Sequence, residues 1–132
     1  MPILAASLAY FACVFAAGFL LGTLRVLVLE RLTGPVPATL VEVPVMLVLS
    51  WLAAGFVLHR FAPGSPAGPR LAIGLLALAF LLLAEVAVSI LAFGRTPGEH
   101  FALYGDVAPR IGLVGQLAFA LIPLLRGTAT AR

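Results

Sequence analysis

Four long apolar stretches dominate the chain, at positions 3–29, 38–58, 71–93 and 108–125. At about 1.5 Å of rise per helical residue, each is long enough to cross a hydrocarbon core of roughly 30 Å. The connectors between them are rich in proline, glycine and charge, which is typical of turns and loops. The pattern therefore predicts an all-α fold, a single transmembrane domain of four helices, over about 3–32, 37–60, 69–93 and 108–126.

Composition agrees with a membrane protein. Of the 132 residues, 63% are hydrophobic and 10% are charged, whereas a soluble domain carries about 25% charged residues. The net charge is +3, but the arginines are scattered singly and form no basic cluster. We expect the lipid bilayer of a bacterial inner membrane as the main partner, and no nucleic acid.

One carboxyl group interrupts the third apolar stretch. Glu85 is the only ionisable side chain between positions 71 and 93. Inserting it costs about 3 kcal/mol on translocon scales, which the surrounding Leu, Ile, Val and Phe residues outweigh. The segment is thus expected to insert, and Glu85 then needs a partner.

Four polar side chains fall at similar depths in the four predicted helices. Counted from the end that carries the 30–36 and 94–107 loops, each lies about 8–13 Å below the surface at 1.5 Å per residue. We call them the polar layer: Arg25, Glu42, Glu85 and Gln116. Since unpaired charges are costly in hydrocarbon, we predict that Arg25 and Glu85 contact each other, with Glu42 close by. One arginine neutralises one glutamate, so the second must be protonated, share a proton or bind a cation.

Each member of the polar layer also has a purely structural interpretation. Arg25 can extend to the interface. Glu42 has capping-box spacing from Thr39 and can cap the second helix. Glu85 can form a structural pair with Arg25, and Gln116 can link helices by hydrogen bonding.

Neighbouring residues support the layer. Pro44 cannot donate to the carbonyl of Leu40, which becomes an extra acceptor near the layer. Ser89 shares a helix face with Glu85. Gly18 and Gly22 form a GxxxG pattern before Arg25, which suits close packing or dimerisation.

The connector after the third helix has its own helix signal. Thr96 and Glu99 have capping-box spacing, and Pro97 occupies the first helical position. We predict a short interfacial helix over about 97–104, with an irregular loop as the alternative.

Signatures of chemistry are missing from the sequence. It contains no HExxH, Walker motif or metal-ligand cluster. The predicted topology places His59 and His100 at opposite membrane faces, so one protomer cannot use both for haem. We expect no catalytic residues, no metal and no cofactor, hence no enzyme. The lone Cys13 excludes an internal disulfide and is expected to be buried.

The distribution of these residues resembles that of uncharacterised small four-helix bacterial inner-membrane proteins, a resemblance that implies no activity. It is carried by Gly22, Arg25, Glu42, Pro44, Met46, Ser50, Glu85, Gln116 and Pro123. The small multidrug resistance transporters are similar in size and helix count. They place an essential glutamate in the first helix, where this chain has Arg25, so no residue role carries over.

Two functions follow as hypotheses. The first is a small transporter- or channel-like protein, expected to be a homo-oligomer, whose Arg25, Glu42 and Glu85 hold a proton or small ion. The alternative is a non-catalytic accessory subunit of a larger membrane complex. Both chain ends are expected in the cytoplasm, because four arginines lie on that side and three on the other.

Overall fold

The computed structural model describes residues 2–130, with side chains described for residues 3–126. No strand occurs in that part of the chain. Its elements, in order, are α1 (Pro2–Leu24), a π-helical turn (Arg25–Leu29), α2 (Glu30–Thr33), α3 (Pro35–Phe61), α4 (Ala67–Phe93), α5 (Pro97–Ala102), a 3-10 turn (Leu103–Gly105) and α6 (Val107–Thr130).

The fold is an all-α bundle of four membrane-spanning helices. The helical segments long and apolar enough to cross a membrane are Ile3–Thr33, Pro35–Phe61, Ala67–Phe93 and Val107–Arg126. Their outer surface exposes large apolar side chains such as Leu20, Leu83 and Leu91. A bilayer is as apolar as these side chains, so this exposure is that of a multi-pass membrane protein.

The spanning helices form a ring in the order α1, α3, α6, α4. Helices α1 and α6 each pack against both α3 and α4. We call the half of the bundle next to the 62–66 connector the terminal half, and the half next to Gly34 and the 94–106 connector the loop half. The buried apolar core lies in the terminal half, and its larger members are Tyr10, Val14, Val57, Leu58, Ile73, Leu81, Phe119 and Ile122.

Two contacts show how tightly the terminal half is packed. A Cβ added at Gly74 of α4 would lie 1.8 Å from the carbonyl oxygen of Ala120 on α6. The two backbones therefore approach as closely as only glycine permits. Tyr10 of α1 stacks on Phe119 of α6 with ring centroids 4.4 Å apart, and its hydroxyl donates to the Phe119 carbonyl at 2.7 Å.

Two features of α1 bear on expectations from the sequence: the surroundings of Gly18 in the GxxxG pattern and the exposure of Cys13. Gly18 faces Met46 of the same chain, whose Cε would lie 3.3 Å from an added Cβ. This glycine thus serves packing of α1 on α3 within one protomer. Cys13 was expected to be buried, but it lies exposed on the outer face of α1.

Candidate functional site

The π-helical turn at Arg25–Leu29 brings the side chain of Glu30 into contact with Arg25. The backbone N–H of Glu30 donates to the carbonyl of Arg25, five residues earlier. In a regular α-helix, at about 100° per residue, two side chains five positions apart lie on different sides. The wider turn brings them to one side, and the Arg25 Nη1 atom donates to the Glu30 carboxylate. Single π-turns inside α-helices frequently occur at functional sites.

Arg25 also reaches across to α3. Its Nε donates to Glu42 Oε2 at 2.5 Å, so one guanidinium contacts two carboxylates. Gly22, one turn earlier, lies next to the guanidinium, since an added Cβ would be in ordinary van der Waals contact with Arg25 Nη2 at 3.9 Å. All three charged side chains are largely shielded, with 26%, 24% and 19% of the Arg25, Glu30 and Glu42 side chains exposed. We call these three residues the arginine cluster.

The other two members of the polar layer pair with each other. Gln116 of α6 donates from Nε2 to Glu85 Oε2 of α4 at 2.5 Å. An amide is a good donor but carries no charge, so this contact does not neutralise an ionised Glu85. The Gln116 Oε1 atom is buried and has no hydrogen-bond partner in the described part of the chain.

Helix contacts place the arginine cluster and the Glu85–Gln116 pair at similar heights in the bundle. A Cβ added at Gly115, next to Gln116, would lie 2.9 Å from a methyl group of Val43, next to Glu42. Glu42 and Gln116 therefore flank the same contact between α3 and α6. The four predicted residues all lie in the loop half. They form two separate pairs, Arg25 with Glu42 and Glu85 with Gln116.

The predicted contact between Arg25 and Glu85 is wrong in this structure. Among the described residues, the ion pairs of Arg25 are with Glu30 and Glu42, and the side-chain partner of Glu85 is Gln116. Although α1 packs against α4 as well as α3, the Arg25 side chain extends toward α3. The proximity of Glu42 to Arg25, in contrast, was predicted.

Of the supporting residues, Ser89 has a polar role. It is buried, and its Oγ accepts from Arg95 Nη1 at 3.2 Å, while its carbonyl accepts the backbone N–H of Arg95 at 3.1 Å. Ser89 thus anchors the chain just after α4. Pro44 lies on the exposed outer face of α3, as does Leu40. The role of the Leu40 carbonyl as an extra acceptor near the layer stays a prediction.

The connector over the loop half contains the predicted short helix. Glu99 N–H donates to Thr96 Oγ1 at 3.1 Å, and Thr96 N–H donates to Glu99 Oε1 at 2.8 Å, forming a complete capping box. The hydrogen bond from the Thr96 backbone, supported by the Thr96 side chain, lowers the pKa of Glu99 below its ordinary value. Helix α5 ends at Ala102, and the chain continues in the 3-10 turn.

Tyr104, in that 3-10 turn, connects α5 electrostatically with the layer. Burial, and secondarily the negative charge of Glu85, raises the pKa of the Tyr104 hydroxyl. Its carbonyl accepts from Arg110 Nε at 2.7 Å, which ties the turn to the start of α6. The short connector is therefore fixed at both of its ends.

Sequence reasoning missed Glu30. It falls within the first predicted helix, over about 3–32, and it was given no contact there. Its only sequence signal is the opposite charge five residues after Arg25, and that signal has meaning only if a π-turn is assumed.

Comparison of the chain with protein-family models, with curated proteins and with solved structures finds no match.

Proposed function

We propose that this protein is a small, non-enzymatic, transporter-like membrane protein whose polar layer binds a proton or a small cation. The observation that supports this most directly is the arginine cluster, in which Arg25 contacts both Glu30 and Glu42. Two ionised carboxylates and one guanidinium leave one negative charge. Removing charges from water is expensive, so a proton or a monovalent cation is the natural compensation.

The Glu85–Gln116 pair supports a proton in particular. With Glu85 ionised, Gln116 donates one hydrogen bond and its buried Oε1 has no donor in the described chain. A protonated Glu85 can donate its O–H to that oxygen while still accepting from the amide. The acid and the amide then form two hydrogen bonds in place of one, which satisfies a buried acceptor that is otherwise costly.

The packing favours a transporter-like protein over an open channel within one copy. The loop half holds the carboxylates of the polar layer, whereas the interior of the terminal half is filled by apolar side chains such as Tyr10, Ile73 and Phe119. Ions at the polar layer are therefore separated from the terminal end by a closed core. Passage requires either a change of helix packing or a pathway between several copies of the chain.

The proposal includes location and assembly. We place the protein in a bacterial inner membrane with both chain ends in the cytoplasm, as a homo-oligomer or with a partner membrane subunit. Arg60, Arg70 and Arg126 lie toward the terminal end, and Arg132, also counted in the prediction, is outside the described residues. Reporter fusions at both ends test the orientation, and periplasmic activity at both ends would reverse it.

Infrared difference spectroscopy tests proton binding directly. In liposome-reconstituted protein, a pH step should produce a carboxylic acid C=O band that disappears in Glu85→Gln and changes in Glu42→Gln. Glu99→Gln, outside the layer, is the matched control and should leave the band unchanged. A spectrum in which no band depends on layer residues would contradict the proposal.

Measurement of proton flux distinguishes a transporter from an accessory subunit. Liposomes containing a pH-sensitive dye should show proton movement driven by an imposed gradient, reduced in Glu42→Gln and Glu85→Gln but not in Glu99→Gln. Absence of flux, together with co-purification of one membrane protein at fixed ratio, would favour the accessory subunit instead.

A further inference from the structure

Positive and negative side chains are distributed unevenly between the two halves of the bundle. Arg60, Arg70 and Arg126 lie toward the terminal end. Of these, Arg70 donates to the carbonyls of Ser65 and Leu124. The acidic residues of the sequence all lie in or beside the loop half, and they are Glu30, Glu42, Glu85, Glu99 and Asp106. No Asp or Glu of this sequence is therefore placed to pair with the arginines of the terminal end.

Arg126 is the arginine that the fold directs back into the bundle. Side chains of an α-helix lean toward its N-terminus, and α6 runs toward the terminal end, so the Arg126 side chain returns along the span. Its guanidinium lies against α3, where a Cβ added at Gly55 would be 2.6 Å from Arg126 Nη2. Its Cζ also lies 5.4 Å from the centroid of the Trp51 ring. The glycine at position 55 thus leaves room for a cation between α3 and α6.

The guanidinium of Arg126 is held in position, but its charge is not paired. Its Nε is buried without a hydrogen-bond partner, and neither Nη atom forms a hydrogen bond or ion pair with a described residue. The two Nη atoms are not enclosed as the Nε is, and the residue as a whole is only partly buried. The Trp51 ring attracts a cation without carrying a net charge. The Nη atoms are therefore an open pair of donors, which suits bidentate contact with an anion such as phosphate.

The depth of these donors matches the boundary between hydrocarbon and headgroups. The second apolar stretch ends at position 58, just before the exposed His59. Gly55 lies one helical turn before His59, which places the guanidinium about 6 Å inside that boundary. Next to Trp51 and Gly55 along α3, Leu52 and Phe56 are exposed on the outer surface. A phosphate bound to Arg126 would therefore have apolar protein surface beside it on the hydrocarbon side.

We infer that Arg126, held between α3 and α6 on Gly55 and Trp51, binds the phosphate of an anionic phospholipid. Basic sites between transmembrane helices are known to bind anionic headgroups. A lipid supplies the missing negative charge together with acyl chains that cover Leu52 and Phe56, whereas a soluble anion supplies the charge alone. This inference does not depend on the proposed transport function, because the arginine cluster and the Glu85–Gln116 pair lie in the other half of the bundle.

Trp51 is the single tryptophan of the sequence, so its fluorescence reports on this site directly. The full chain is reconstituted in phosphatidylcholine liposomes that contain a small fraction of lipid brominated in its acyl chains, which quenches a tryptophan on contact. Brominated phosphatidylglycerol should quench Trp51 at about one tenth of the mole fraction that brominated phosphatidylcholine requires. This tenfold preference is that expected for one hydrogen bond between charged groups. Inorganic phosphate in the buffer should leave the preference unchanged.

Two variants of equal net charge show whether Arg126 is the binding residue. In Arg126→Met the two brominated lipids should quench equally, whereas Arg60→Met, the matched control at the same end of the bundle, should keep the preference. Circular dichroism shows whether each variant remains helical.

Three results would overturn the inference. Equal quenching by the two lipids in the unmodified protein would show that the site does not select an anionic lipid, and loss of the preference in inorganic phosphate would assign the site to soluble anions. Equal loss of the preference in Arg60→Met and Arg126→Met would show that the overall charge of the terminal end attracts the lipid. The first two measurements use the unmodified protein, so misfolding of a variant cannot protect the inference.

Discussion

The two halves of the bundle differ in their packing and in the polar groups that they contain. In the terminal half, Tyr10, Ile73 and Phe119 are almost completely buried, and the Tyr10 hydroxyl has a carbonyl partner at 2.7 Å. In the loop half, Arg25 contacts two carboxylates, and Gln116 has a buried oxygen without a donor. The interior of the terminal half is a close-packed apolar core, although the Nε of Arg126 toward its end is also buried without a hydrogen-bond partner in the described chain. The loop half, in contrast, contains the carboxylates of the polar layer and of the arginine cluster.

Under the proposed function, stability and ion binding are separated along the membrane normal. Close packing supplies most of the association between helices in a bilayer, where lipid tails are as apolar as the side chains. Unbalanced polar groups reduce stability and are retained at sites that bind ions or protons. Substitutions in the terminal half should therefore change stability, and those in the loop half should change stability and ion binding together.

The largest effect is expected at Gly74. In Gly74→Ala, the new Cβ would meet the Ala120 carbonyl oxygen at 1.8 Å, and a backbone atom cannot rotate away. α4 and α6 must separate, so we expect a loss of roughly 3 kcal/mol, at the upper end of overpacking effects. Thermal melts in detergent measure it.

Gly112→Ala is the matched control on α6, because nothing lies within 4 Å of the position of an added Cβ. It should be neutral or stabilising, since alanine is favoured over glycine in a helix by up to about 1 kcal/mol. Similar melting temperatures for the two variants would show that close packing of α4 on α6 does not determine stability.

The next largest effect tests the charge imbalance of the loop half. Arg25→Met leaves Glu30 and Glu42 without a cation, and breaking a buried pair in this way costs about 3–5 kcal/mol. Because the three side chains are about a fifth to a quarter exposed, the lower figure is the expectation. Adding Glu30→Gln and Glu42→Gln should recover much of the loss, as no charge then remains.

The control is a double-mutant cycle that combines Arg25→Met with Glu85→Gln. Since Glu85 pairs with Gln116 and not with Arg25, its effect should add to that of Arg25→Met within about 0.5 kcal/mol. A coupling of 1 kcal/mol or more between positions 25 and 85 would show that the polar layer is a single network, which would contradict the arrangement described above.

The helix count and the approximate bounds of the helices could largely be read from the sequence. Long apolar stretches predict membrane helices because the length of a bilayer crossing is fixed. The capping box at Thr96 and Glu99 was also predictable, since it depends on the spacing of a few adjacent residues. Such features follow from local rules and need no knowledge of how helices are rotated.

The pairing within the loop half could not be predicted in the same way. Charge alone favoured Arg25 with Glu85, but partner choice depends on the rotation of each helix about its axis. The π-turn at Arg25–Leu29 sets that rotation, and no residue type specifies such a turn. For the same reason neither the contact of Glu30 with Arg25 nor the outward position of Cys13 could be predicted.

A smaller effect is expected at Gln116. Gln116→Leu removes the donor to Glu85, leaving a partly buried carboxyl without its hydrogen bond, at a cost of about 1–3 kcal/mol. The double variant Glu85→Leu with Gln116→Leu should lose much less, because replacing both partners by apolar groups is close to neutral. A double variant that is as unstable as Gln116→Leu would show that the Glu85–Gln116 contact is unimportant, and chemical denaturation in detergent measures this.

The smallest effect is expected at the capping box of α5. It should be confined to α5 and leave the terminal half unchanged. Thr96→Ala removes the capping oxygen from the Glu99 N–H, which costs about 1 kcal/mol of local helix stability. Amide hydrogen exchange should accelerate over residues 97–102 while α4 and α6 in the terminal half remain protected.

The pKa of Glu99 is lowered by its hydrogen bonds to Thr96. The contribution of Glu99 to the stability of α5 is therefore present above the ordinary pKa value of 4.5 and is lost as the pH falls through the lower, folded-state value. After correction for intrinsic exchange rates, α5 should therefore open in acid, and Glu99→Gln, which keeps a capping-box side chain, should remove that pH dependence. If acid opened the whole bundle at the same pH as α5, the two halves would be one cooperative unit and their separation into packing and chemistry would fail.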